Sequence, residues 1–187
     1  MDARAVSDTV ADWGIESPRI AGRLVDARDR ALYRALYTDP VVMAHIGPAL
    51  DEAAADTVFE QACGYNCEQP MRARYWRLSD RVSDKAIGVQ SMLRRTSEPG
   101  VIELGLMLLP ERQGQRYGLE IAEAMLSLLF EDRWELGATT VTALHAPANH
   151  RVGRLGVSLR FESDAPDDAG TQVWRMTRSA WLRRRAR

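Results

Sequence analysis

Apolar and polar positions change period several times along this chain, and each change marks an element. Arg19–Val25 alternates as a first strand. Asp26 follows as an N-cap, and Ala31, Leu32, Ala35 and Leu36 then recur at helical spacing. Asp39-Pro40 opens a second helix that Gly47 ends, since proline suits the first helical position and glycine the position past the last. A third helix is expected over 51–67, with Gly64 and Asn66 loosening its end. Strands are expected at 74–78 and 86–93, joined by a polar turn at 79–84. After the Glu98-Pro99-Gly100 turn comes Val101–Leu109, an apolar run that suits a central strand. Leu119, Ala122, Met125, Leu126, Leu129 and Phe130 form one stripe of a helix expected over 117–134. Thr139–Leu144 is β-branched and strand-like, Asn149 starts a helix ending near Leu159, and Phe161 turns back to strand. A loop over 164–170 and a strand at 172–177 follow. Arg183-Arg184-Arg185 closes the chain as a solvated basic tail. Helices interleaved with strands in this order imply an α/β (α+β) fold: a mixed sheet with helices packed on it.

The 187 residues fit one domain, expected over 19–187 behind an N-terminal arm at 1–18. A formal charge of −1 gives no drive toward nucleic acid or an anionic membrane. No apolar run is long enough to span a bilayer, and the N-terminus lacks a basic segment leading into an apolar one. Cys63 and Cys67 are the only cysteines. At i, i+4 they share a helix face, and no nearby histidine completes a zinc set, so packing is the expected role, no metal is expected, and the reducing cytoplasm is the default compartment. Lys85 is the only lysine among many arginines.

Chemistry concentrates where Leu109-Pro110 ends the apolar strand. The loop Glu111-Arg112-Gln113-Gly114-Gln115-Arg116 runs into the helix beginning Tyr117-Gly118. A loop that opens a helix gathers unpaired N–H groups and the positive end of the helix dipole, which is a ready site for a phosphate.

Three segments in order resemble the GNAT acetyltransferase superfamily, in the branch of the ribosomal-protein N-terminal acetylases (RimJ/RimL type). They are Arg23-Leu24 with Thr38-Asp39-Pro40-Val41-Val42-Met43; Ile102-Glu103-Leu104-Gly105-Leu106 through Gly118; and Asn149 through Leu159-Arg160-Phe161. The resemblance implies a GNAT fold: a mixed, mostly antiparallel sheet of six to seven strands with a splayed parallel pair, and helices on both faces. It implies acetyl-CoA as co-substrate, held by Met107, Leu108, Leu109, Gln113, Gly114, Gln115, Arg116, Tyr117, Gly118 and Asn149, with the thioester oxygen meeting a backbone N–H near Leu108. A primary amine would be the acceptor: a protein N-terminus, an amino acid or a small amine. Homodimers are common in that family.

Arg116 stands where the family's middle loop glycine is expected. An arginine fits if its backbone stays helical, and its side chain then adds a charge toward a phosphate, against an arginine that crowds the site and weakens CoA binding. Glu103, an acid within an apolar strand, is the first general-base candidate, against a solvated or arginine-paired glutamate. His145 is the second, against a capping or surface histidine. Trp76 is a candidate wall of the acceptor pocket, against a core tryptophan. Asp164, Asp167 and Asp168 could attract a cationic amine. The competing readings are a CoA-binding or sensing module with little transferase activity, and a scaffold without CoA affinity.

Overall fold

In a computed structural model of the chain, residues 13–166 and 170–186 are described. Asp167, Asp168 and residues 1–12 of the expected arm lie outside them. Eight strands form one sheet in the order β1 (Ile15–Glu16), β2 (Ile20–Leu24), β3 (Ala73–Asp80), β4 (Ala86–Arg94), β5 (Val101–Leu108), β6 (Thr140–His145), β8 (Gln172–Thr177) and β7 (Glu162–Ser163). Neighbours run antiparallel except β5 and β6. The strand not expected from the sequence is the two-residue β1, too short to show a period, while β7 is the strand expected from Phe161 onward.

Strand alternation divides the core. On one face Trp76, Ile102, Met125, Phe130, Val141 and Trp181 join β3, β5 and β6 to α4 (Tyr117–Phe130) and α6 (Arg178–Arg185). On the other, Val89, Met107 and Leu109 pack with Tyr75 against Tyr33, Leu36 and Phe59 of α1 (Arg30–Tyr37) and α3 (Glu52–Cys67). With the short α2 (Pro40–Met43) these two helices form a flap over that face. Asp26, Asp39 and Asp51 each accept a backbone N–H at a helix start, as expected for Asp26 and Asp39.

Three expectations are corrected. Asn66 does not loosen α3. Its side-chain amide donates to Val25 O and Tyr75 O and accepts the Tyr75 N–H, clasping the helix end to the strands where β2 and β3 part. The long helix stops at Phe130, and Trp134 lies beyond it, buried against Trp13 and Trp76. The basic tail is not a solvated end. Thr177 caps α6, Trp181 is buried, and Arg184 and Arg185 pair with Glu123 and Glu131 of α4.

Gly88 of β4 permits a close approach. A Cβ there would stand 2.0 Å from Met107 O and 2.9 Å from Leu108 Cα, both backbone atoms that cannot move without shifting β5. We expect Gly88→Ala to destabilise the fold by roughly 2 kcal/mol or more, the range of overpacked cores. Gly64→Ala, in a helix with open space around it, should instead add about 0.5–1 kcal/mol. Urea unfolding of the two variants checks both signs.

Arginine–carboxylate pairs tie the flap together. Arg34 donates to Asp56 through Nε and NH2, both at 2.7 Å, and holds its carboxyl down at about 2. A lowered folded-state value means that this contribution is complete above the unfolded value near 3.8 and is lost as pH falls toward 2. The melting temperature should therefore drop between about pH 4 and 2, and Asp56→Asn should flatten that drop.

Candidate active site

The phase of the β4–β5 ladder determines where the backbone of β5 points. The Leu109 N–H donates to Ile87 O at 3.0 Å, in register with Met107↔Val89 and Gly105↔Ser91. Odd-numbered residues here therefore exchange bonds with β4, and even-numbered ones turn their N–H and C=O toward β6. β6 meets them only as far as Glu103↔Thr142, although β5 continues to Leu108 and β6 to His145. Beyond that pair the strands part, and the backbone groups of Leu106 and Leu108 face the gap.

The loop after β5 closes one end of this gap. Pro110–Arg112 makes a single 3-10 turn, Gly114 has φ +76°, and α4 begins at Tyr117. Arg116 is its N-cap residue, and no side chain caps the first turn. The N–H groups at the start of α4 thus keep their positive potential for a ligand. The arginine's backbone is not right-handed helical, as the sequence reading required; it is left-handed at φ 64°, ψ 12°. The loop must reverse there before the helix can start, a conformation that glycine adopts without penalty.

Arg19 braces this turn. Its guanidinium donates to Gln115 O at 3.2 Å, lies 4.5 Å over the Tyr117 ring and donates to Glu120 at 2.7 Å. Glu120 also accepts the Arg19 N–H and the Ser17 hydroxyl. Burial pushes the Glu120 carboxyl up, yet these hydrogen bonds together draw it below the usual range. Nothing in the spacing of Arg19 and Glu120 marked them as partners; a strand start and a helix first turn meet only in the fold.

The opposite wall is α5 (His150–Leu159). Asn149 accepts the Val152 N–H at 3.4 Å, so its side-chain oxygen caps the helix. Gly118 lies between Leu106 and Leu155: a Cβ there would be 3.6 and 3.8 Å from their Cδ2 atoms. Arg151, which sequence reasoning missed, donates to Gln113 Oε1, and Gln113 Nε2 donates to Leu108 O at 3.1 Å. One chain of hydrogen bonds therefore runs from α5 through the loop to the end of β5. Gln115 donates to Glu111 O and supports the loop from within.

The remaining candidates are placed as follows. Glu103 is half-buried on the flap side, with Oε2 2.6 Å from Arg95 NH2; this is the arginine-paired arrangement the sequence allowed. His145 is engaged at both ring nitrogens, Nδ1 at 2.7 Å from Ala146 O and Nε2 accepting from the Trp174 indole at 2.8 Å. Those partners fit a neutral ring carrying its proton on Nδ1. Trp174 can sit there because Gly156 offers no side chain; a Cβ would be 2.6 Å from its ring. Trp76 is corrected: it is fully buried on the α4 face, stacked on Trp134, and walls no acceptor pocket. The alternation of β3 turns Tyr75 toward the flap instead. Asp164 pairs with Arg175. Among the described residues no group of three or more His, Cys, Asp or Glu could hold a metal, and no helix is long and apolar enough to cross a membrane.

Arg116→Gly should remove the left-handed penalty and stabilise the protein by about 1 kcal/mol. It should also weaken acetyl-CoA binding at low salt, an effect that shrinks as salt screens the lost charge. Thermal melts and calorimetric titration at two salt concentrations read both; tighter binding in the variant would make Arg116 an obstruction.

Comparison with known proteins agrees with this architecture. An acetyltransferase (GNAT) domain matches residues 19–162. No curated protein matches the chain. An acetyltransferase of the GNAT family from Bacillus anthracis superposes with a TM-score of 0.74 at 14% identity, covering 89% of this chain and 99% of that one. A spermidine N-acetyltransferase from Vibrio cholerae, in complex with CoA and spermine, gives 0.71 at 14% identity, covering 88% and 98%. The ribosomal L7/L12 alpha-N-protein acetyltransferase RimL, in complex with coenzyme A, gives 0.73 at 12% identity, covering 89% and 99%. At these identities the superpositions establish the fold, while the match over 19–162 establishes the family: the chain belongs to the GNAT acetyltransferases.

Proposed function

We propose that the protein moves an acetyl group from acetyl-CoA to a primary amine by direct attack of the amine on the thioester. The parting of β5 from β6 in front of an uncapped helix start carries this reading. Bound acetyl-CoA supplies the activated acyl group. The N–H groups of Tyr117, Gly118 and Leu119 hold its pyrophosphate, with Gln113, Gly114, Gln115 and Arg116 shaping the loop around it. Asn149 and Arg151 line the other wall. The Leu108 N–H orients the thioester oxygen, a backbone role that needs no particular side chain. Met107 and Leu109, expected from the resemblance to hold acetyl-CoA, bond to β4 and pack toward the flap, so we assign them to the acceptor side instead. Glu103 takes up the amine proton at Oε1 through water, while Arg95 fixes Oε2. Transfer to amines on the RimJ/RimL pattern is supported by the 38–43 phrase, where Asp39 caps α2. The neighbours named above act on spermidine and on a ribosomal protein, so a polyamine and a protein N-terminus both stand as acceptor classes.

One observation favours a CoA-binding or sensing module with little transferase activity: Glu103 and His145 are both already engaged by protein partners. Calorimetry with acetyl-CoA and thiol release across an amine panel separate the two. We expect binding with thiol release, and Glu103→Gln to lower kcat by about 10²-fold with acetyl-CoA affinity unchanged. Binding without release favours the sensing module; no binding heat overturns both readings. An unaltered pH–rate profile in Glu103→Gln removes Glu103 as base.

A further inference from the structure

The apolar cluster between the flap and the sheet has a composition unusual for the charged flap above it. Tyr75, Met107 and Leu109 on the sheet and Tyr37 on α1 pack as half-buried residues around one apolar cluster. Tyr33 stacks on Tyr37 at 5.7 Å between ring centroids, and Tyr65 stacks on Tyr75 at 6.0 Å. Burial pushes the Tyr37 phenol up to about 12, with Tyr75 adding to it. Tyr75 is raised by burial too, and by the charges of Tyr65 and Glu103. Both phenols are therefore neutral at working pH; Tyr37 and Tyr75 influence each other, and Glu103 acts on Tyr75. Tyr33 Oη is fully buried, and no hydrogen-bond partner for it is found among the described residues.

The charges around this cluster are already committed. Asp26, Asp29, Glu52, Asp56, Glu60 and Glu68 each form an ion pair with an arginine of the flap or of the strands beneath it. Asp39 and Asp51 cap helices. Glu103 is the carboxylate beside the phenols, and it is shared with Arg95. A polyamine or aminoglycoside needs a carboxylate for each of several ammonium groups, since a buried cation left unpaired costs several kcal/mol. One carboxylate suits one ammonium. Aromatic faces suit an apolar body and a single adjacent cation.

Resting on the transfer reading above, we propose that the acceptor is a monoamine on an apolar, aromatic body, seated against Tyr37 and Tyr75 with its ammonium toward Glu103. The rings supply edge and face contacts to the body, and their hydroxyls offer donors to a heteroatom on it. Because the other described carboxylates of this face are paired or cap helices, a monoamine fits it better than the polyamine class named above.

The test uses the full chain saturated with acetyl-CoA or CoA, probed with 2-phenylethylamine and spermidine. Calorimetry reads amine binding and thiol release reads turnover. We expect 2-phenylethylamine to bind at least about tenfold more tightly than spermidine, equivalent to about 1.4 kcal/mol. Tyr75→Ala should weaken it about tenfold, as loss of one aromatic wall does, while Tyr75→Phe stays near wild type. Acetyl-CoA affinity, measured on every variant, shows that each is folded; Tyr37→Leu, which keeps bulk, gives the same reading if Tyr75→Ala does not fold. Equal or tighter spermidine binding, or 2-phenylethylamine binding indifferent to both tyrosines, overturns the assignment. Tyrosine-dependent binding of 2-phenylethylamine without thiol release supports the site and defeats the transfer reading. Thiol release from spermidine alone does the reverse.

Discussion

β6 leaves β5 after Glu103↔Thr142, and most of what is distinctive in the molecule follows from that separation. Two parallel strands that part inside a sheet expose backbone donors and acceptors that would be costly to bury unpaired. The neighbouring elements are arranged to deal with them. Gln113 returns to Leu108 O, Arg151 holds Gln113, and Gly118 lets α4 come close to Leu106 and Leu155. Gly88 keeps β4 tight against β5, so that the opening lies on one side only. The start of α4 then looks into the same opening with no cap of its own. An uncapped helix start and a stretch of unpaired strand backbone are thereby brought to one place.

Two arginines stand in left-handed backbone at the margins of this region. Arg116 has φ 64° before α4, and Arg160 has φ 60° after α5, where Phe161 N–H returns to Gly156 O. Glycine takes such positions without penalty, and arginine does so at a cost of about 1–2 kcal/mol. A tertiary contact holds the first turn, where Arg19 clamps it from the side, and local helix-ending hydrogen bonds fix the second. The chain keeps the geometry of the family while changing the residue that normally encodes it.

Periodic, local features were legible in the sequence. The central strand, the stripe of α4, the caps Asp26 and Asp39, the helix start at Asn149 and the loop before α4 are each written within a few neighbouring residues. Features made by distant residues were not. The Arg19–Glu120 brace joins positions 101 residues apart, and the Arg151–Gln113 contact joins two elements with no shared pattern. Trp76 and Tyr75 show the limit clearly. Both are aromatic, both lie on β3, and only the phase of the strand decides which faces the tryptophan core and which faces the flap. The tail was misread for a related reason: Trp181 is one buried residue among arginines, and a single apolar position makes no stripe.

The indole cluster has a consequence for how the chain reaches this shape. Trp13 precedes β1, Trp76 lies mid-sheet, and Trp134 follows α4, yet the three rings pack within 5.0–6.3 Å of one another. The Trp76 indole donates to Trp13 O across 63 residues. Such contacts pay their loop-closure entropy late, so they slow folding relative to the local helices. During synthesis the Trp13 segment must wait, with its apolar surface in water, until α4 and the residues after it have left the ribosome. The early-made edge of the sheet thus stays open through most of synthesis and is exposed meanwhile to premature association with other nascent chains.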